Sequence, residues 1–164
     1  MTRNLLFIFF FVFLAPMILR AQSLTIPELK QISQMPAEKI DTLLKRKSFR
    51  LLEKEKEDNL NLVYYTSLEK TPEGATWVRS ITYIDATSKN AKGRLITYRT
   101  YRKKEYQEMM AWLLNNNFHT KSRTEMKETT HTIYTDGKEE ILFKVTKQKL
   151  PSGTMVLSYE VEVG

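Results

Sequence analysis

Residues 155–163 read Met-Val-Leu-Ser-Tyr-Glu-Val-Glu-Val, and this stretch decides the fold class. Met155, Leu157, Tyr159, Val161 and Val163 fall on one side of an extended chain, and Val156, Ser158, Glu160 and Glu162 on the other. A period of two places alternate side chains on opposite faces of a sheet, so one face here is apolar and the other mostly wet. Sheets with one solvated face are characteristically antiparallel.

Working back from there, Leu150-Pro151-Ser152-Gly153 reads as a turn, and Ile141, Phe143 and Val145 alternate as the strand before it. Asp136-Gly137 carries the strongest hairpin signal in the chain and suits a type I′ turn. Strand pattern begins at Phe118. Ahead of it, Tyr106, Met109, Met110 and Leu113 share one face of a helix predicted over residues 103–116, which ends in Asn115-Asn116-Asn117 because Asn tolerates a left-handed exit.

The first half has the same grammar. Arg94–Tyr101 and Thr76–Ile84 are dense in β-branched and aromatic residues, as strands prefer. Thr71–Gly74 and Ser88–Gly93 supply turn chemistry on either side of the second of these runs. Leu60, Leu62 and Tyr64 alternate with Asn61, Val63 and Tyr65. Ser23–Leu52 reads helical, as two helices. Thr25-Ile26-Pro27-Glu28 has the capping-box form, and Pro36 opens the second helix, whose stripe is Ile40, Leu43, Leu44 and Lys47. From Phe49 the period changes to two. The expected fold is therefore α+β, a mostly antiparallel sheet with helices packed on one face.

A shift of 69 residues lays Ile40, Leu43, Leu44 and Phe49 on Met109, Trp112, Leu113 and Phe118, and Tyr64-Tyr65-Thr66 on Ile133-Tyr134-Thr135. Later the offset shortens, placing Tyr98 against Tyr159. The pattern reads as a duplicated helix-plus-four-strand unit, with repeats 36–102 and 103–164. In this order of elements the chain resembles the β-lactamase inhibitor protein family, built from tandem helix-plus-four-strand units with a curved sheet whose open face binds a partner. The resemblance is one of topology over most of residues 22–164. The family's disulfides have no counterpart in a chain with 0 Cys, so inhibitory activity does not carry over. The same order is similar to that of small exported proteins of Gram-negative envelopes.

The N-terminus reads as an export signal over residues 1–21. Arg3 gives a basic start, Leu5–Leu19 is uncharged, and Arg20-Ala21 closes the run. The run is short for a membrane span, which needs roughly 20 apolar residues, and Pro16 interrupts it. A chain cut after Ala21 keeps no stable span and leaves residues 22–164 as a single domain, periplasmic or secreted. Removing Arg3 and Arg20 takes the net charge from +7 to +5, a mixed surface that demands no polyanion.

Signatures of chemistry are missing. There is no G-x-S-x-G elbow, H-E-x-x-H, phosphate-cradling Gly-rich loop or C-x-x-C. The 2 histidines, His119 and His131, sit in a predicted hairpin that lays them roughly opposite each other near Glu125 and Glu128, but a zinc site wants a third or fourth ligand. No cofactor or metal is expected, and an enzyme is the minority reading. Attention falls instead on Tyr65, Arg99, Tyr101 and Tyr134, expected to project from the open face of the sheet. Tyr and Arg bring large contact area and directed hydrogen bonds to a docking surface. The expectation is a non-enzymatic binding module that docks a protein partner of the envelope or the exterior. Nucleic acid is disfavoured by export. The alternative is a periplasmic carrier with a small apolar ligand between helices and sheet.

Overall fold

The computed structural model describes residues 23–70, 76–87, 92–150 and 152–164. The predicted export signal over residues 1–21, the expected turn at Thr71–Gly74, most of the expected loop at Ser88–Gly93 and Pro151 lie outside the described residues. The order is α1 (Ile26–Gln34), α2 (Ala37–Arg46), β1 (Arg50–Glu57), β2 (Leu60–Lys70), β3 (Thr76–Thr87), β4 (Lys92–Thr100), α3 (Lys103–Asn115), β5 (His119–Met126), β6 (Thr129–Thr135), β7 (Glu140–Lys149) and β8 (Met155–Val163).

All eight strands form one antiparallel sheet in the order β1-β2-β3-β4-β8-β7-β6-β5. Two four-strand meanders therefore meet along β4 and β8. The α+β expectation is met. Register fixes which residues share a face. Val63 and Tyr65 stand beside Tyr83 and Ile81, these beside Ile96 and Tyr98, and these beside Val163 and Val161, with Ile141 and Phe143 beyond. Every one of these is buried, in one cluster with Ile26, Leu29, Ile32, Ile40, Leu44, Met109 and Leu113 from the helices. The helices thus cover a single face, with α1 over β4 and β8 at the centre.

Local chemistry accounts for the helix ends, and the helical reading to Leu52 is corrected: α2 stops at Arg46, and a left-handed turn at Ser48 sends the chain into β1. Thr25 caps α1 as the spacing predicts: its hydroxyl accepts the Glu28 N–H, and Glu28 accepts the Thr25 N–H at 2.9 Å. At the ends of α2 and α3 the chain turns through left-handed Ser48 (φ 65°) and Asn117 (φ 63°), and the next residue donates back into the helix. Phe49 N–H reaches the Leu44 carbonyl at 2.9 Å, and Phe118 N–H the Leu113 carbonyl at 3.1 Å. The two hairpins that follow carry a β-bulge at matching places. In one, Leu51 opposes Tyr65 and Glu53 opposes Tyr64; in the other, Thr120 opposes Tyr134 and Ser122 opposes Ile133. Each of these positions shifts onto its counterpart by 69 residues.

Further along, the offset read from sequence needs correction. Tyr65 opposes Ile81 and Tyr134 opposes Ile141, and their next neighbours are Tyr98 and Val163. Tyr98 therefore corresponds to Val163, a shift of 65 residues, and not to Tyr159. The seam shows why. Ile96 opposes Val163 and Tyr98 opposes Val161, a pairing that a half-turn about its centre maps onto itself.

The Asp136-Gly137 turn also differs from expectation. Only Gly137 has positive φ (90°), whereas type I′ requires it at both central residues. The connection is a longer loop from Asp136 to Glu139. Asp136 Oδ1 accepts the Lys138 and Glu139 N–H groups at 2.9 and 3.0 Å, and Thr135 Oγ1 accepts the Gly137 N–H. The carboxylate competes for backbone donors that a two-residue turn would have left to the strand ladder. These bonds hold the Asp136 pKa below the ordinary carboxylate value.

Candidate functional site

The face opposite the helices carries a charge network built by cross-strand pairing. Glu160 on β8 lies between Arg99 on β4 and Lys144 on β7, directly opposite both. Arg99 donates to Glu160 Oε2 from Nε at 2.9 Å and from Nη2 at 2.6 Å. Lys144 donates to Glu160 Oε1 at 3.2 Å and pairs with Glu162 as well. Partial burial works to raise the Glu160 pKa, but its bonds to Arg99 and Lys144 outweigh this and leave it below the usual carboxylate value. Partial burial tends to lower the Lys144 pKa, yet Glu162 and Glu160 drive it above the ordinary lysine value. Arg99 stays half-exposed, at 47 %.

Around this network the open face is less polar than β8 alone foretells. Leu62, Tyr64, Ile84, Leu95, Ile133 and Leu142 lie there by register, each partly exposed. Thr66, Thr82, Thr97 and Thr146 lie between them. The surface combines apolar and aromatic area with a fixed set of charges.

The four residues singled out from the sequence divide two and two. Arg99 is on the open face as expected. Tyr101 follows β4 and is partly exposed, and its hydroxyl lies 3.2 Å from Gln148 Oε1 on β7. Tyr65 and Tyr134, expected on the open face, are on the helix face, and this is a correction. Tyr65 is 2 % exposed within the core. Tyr134 packs edge-on to Phe143 with ring centroids 5.5 Å apart. The physical reason lies in β2, where both alternating sets carry large apolar residues, Leu60, Leu62 and Tyr64 in one and Val63 and Tyr65 beside Asn61 and Ser67 in the other. The sequence period is then compatible with either phase, and non-local contact with Ile81 and Tyr98 selects Tyr65 for the core. Tyr64 takes the open-face place.

The histidines also fall apart. His119 opposes Thr135 and His131 opposes Thr124, so they are offset by four positions along β6, about 13 Å at ~3.3 Å per residue. Among the described residues no group of three or more metal-ligating side chains converges.

Two polar sites escaped the sequence reading. Arg79 on β3 and Glu105 in the first turn of α3 form a buried ion pair within the core, with Nε and Nη2 at 2.9 and 2.5 Å from Glu105 Oε1. The Tyr98 hydroxyl donates to Glu105 Oε2 at 2.7 Å. Burial acts to raise the Glu105 pKa, but bonds from Arg79, Tyr98 and Thr100 bring it below the ordinary value. Burial and the same carboxylate push the Tyr98 phenol far upward. No acid–base role suits a pair this sealed, and its work is to fix α3 on the sheet.

The second is a cavity of about 300 Å³ between the start of α2 and the β1–β3 end of the sheet. Ala37, Ile40, Asp41, Lys54, Val63, Tyr65 and Tyr83 line it, with Glu38 at its side. Asp41 Oδ2 pairs with Lys45 at 2.8 Å, while Asp41 Oδ1 is buried with no donor. Compared with known proteins, the chain matches no family model, no curated protein and no solved structure.

Proposed function

We propose that this chain is an exported interaction module, made of two tandem helix-plus-four-strand units, that docks a protein partner on the open face of its sheet. One observation carries the reading: the face opposite the helices presents Leu62, Tyr64, Ile84, Leu95, Ile133 and Leu142 partly exposed around the Arg99–Glu160–Lys144–Glu162 network. A sheet face that only met water would not need large apolar residues at six positions. Interface centres combine such area with Tyr and Arg. Pre-ordered charges set register without the entropy of immobilising free side chains. Export rests on the Arg3 and Leu5–Leu19 pattern, and tandem construction on the matched left-handed caps and bulges. The partner-binding open face of the β-lactamase inhibitor family is the topological analogy. The apolar-ligand carrier fares worse, because the cavity between α2 and the sheet is lined by Asp41, Lys54 and two tyrosines.

The test is affinity capture from a native envelope preparation, followed by affinity measurement with the purified partner. A Tyr64→Ala, Arg99→Ala variant with wild-type circular dichroism should bind at least tenfold more weakly. Equal affinity of the two proteins would end the open-face reading.

A further inference from the structure

The polar cavity under α2 has a counterpart in the second half of the chain, and there it is filled. The 69-residue shift carries Ala37, Ile40 and Asp41 onto Tyr106, Met109 and Met110, and Val63 and Tyr65 onto Thr132 and Tyr134. Tyr83 has its equivalent in Phe143, since Tyr83 is two residues beyond Ile81 as Phe143 is beyond Ile141. In the second half the Tyr106 ring packs against Phe143 at 5.7 Å and stacks on Tyr159 at 4.6 Å, and Met110 packs on the core. In the first half a methyl group stands where Tyr106 stands, and a carboxylate where Met110 stands. The same backbone frame therefore leaves about 300 Å³ open, the lower end of the range for small-molecule sites.

We propose that this cavity binds a small zwitterion of the α-amino-acid type. Asp41 supplies the first half of the recognition: its Oδ1 is buried without a donor, while Lys45 engages only Oδ2. A buried carboxylate oxygen that lacks a donor is a strong acceptor for an ammonium group. Lys54, across the lining from α2, supplies the complementary charge for a carboxylate. A simple amine would satisfy Asp41 but face Lys54 unpaired, and a simple carboxylate would face Asp41 and Glu38. A zwitterion meets both. The Tyr65 phenol, raised to about 12 by burial and by Asp41, remains a hydrogen-bond donor at any ordinary pH. Ile40, Val63 and Ala37 leave apolar wall for a short side chain. The site is separate from the open face, so either proposal can fail alone.

Calorimetric titration of the full chain with each of the twenty common L-amino acids tests this. At least one should bind, and its decarboxylated amine and its N-acetyl derivative should bind at least tenfold more weakly, as loss of a charged hydrogen bond implies. Asp41→Asn should weaken binding by a similar factor. Ala37→Tyr with Asp41→Met, which copies the filled half, should abolish it while keeping the wild-type circular dichroism spectrum. Absence of binding by the wild-type chain at millimolar amino acid overturns the proposal. So does binding that the amine matches, or that survives Asp41→Asn unchanged.

Discussion

Replacing Glu105 with Ala should be among the most destabilising single changes in the protein. Arg79 is 2 % exposed and Glu105 5 %, so the substitution takes the Glu105 carboxylate away from a guanidinium in the core and from the Tyr98 hydroxyl that donates to it. Breaking a buried ion pair from one side costs about 3–5 kcal/mol, and an orphaned hydroxyl adds about 1 kcal/mol. The expected loss is about 5 kcal/mol, a shift of roughly 15 °C in Tm at ~3 °C per kcal/mol for a domain of this size. The same reasoning makes the second change partly compensating. Arg79→Met combined with Glu105→Gln removes both charges and keeps an acceptor for Tyr98. The double variant should therefore be more stable than Glu105→Ala, with a coupling between the two sites of about 2 kcal/mol. Urea unfolding of the wild type, Arg79→Met, Glu105→Gln and their double closes the cycle, with Glu105→Ala measured beside them. A loss below about 1 kcal/mol for Glu105→Ala would refute the account, because the Glu105 carboxylate would then not be what holds Arg79 and Tyr98 in place.

Acid should reach the same pair. The folded Glu105 pKa lies below its unfolded value near 4.5, so its contribution is fully present above that value and is lost as pH falls through the folded pKa. Urea midpoints between pH 7 and pH 3 should fall less steeply for a Glu105→Gln variant than for the wild type, and parallel slopes would contradict the assignment. Ser48 holds φ 65° at the end of α2 with a side chain that disfavours it. Ser48→Gly should raise stability by about 0.5–1 kcal/mol, measurable as a higher Tm, and a fall would mean that the hydroxyl is needed. Thr25→Ala removes one arm of the α1 capping box. It should cost about 1 kcal/mol, and no change in the urea midpoint would show that Glu28 alone suffices.

The elements were legible because local chemistry decides them. Thr25-x-x-Glu28, Pro36 and the alternation of β8 each name their structure within a few residues, and the last also announces a wet face. The matching left-handed caps at Ser48 and Asn117 and the matching bulges in the hairpins that follow are local features of the same kind. The later offset was not legible, because the place of Tyr98 depends on which strands meet at the seam. The ion pair of Arg79 and Glu105 joins residues 26 apart in sequence through a core contact that no period reports.

Strand phase is the instructive failure. Alternation tells which residues share a face but not which face is buried, unless one set is polar. In β8 the glutamates break the tie, whereas in β2 Val63 and Tyr65 share a set with Asn61 and Ser67, and the opposite set of Leu60, Leu62 and Tyr64 is the more apolar in sequence. The strand then takes its orientation from its neighbours: Ile81 and Tyr98, opposite Tyr65 and one strand beyond, already belong to the core. A strand with large apolar residues on both sides has to leave one side less covered, and in β2 that side bears Leu62 and Tyr64. The ambiguity that misplaced Tyr65 and the partly exposed apolar area of the open face thus have one origin. If that area serves contact with a partner, its open-face anchors are the residues the strand could have buried and did not. Tyr64→Ala should then cost affinity for the partner with little effect on folding, and Tyr65→Ala should cost folding itself, about 3–5 kcal/mol for a large core aromatic. Equal stability losses from the two substitutions would show that both faces of β2 are packed.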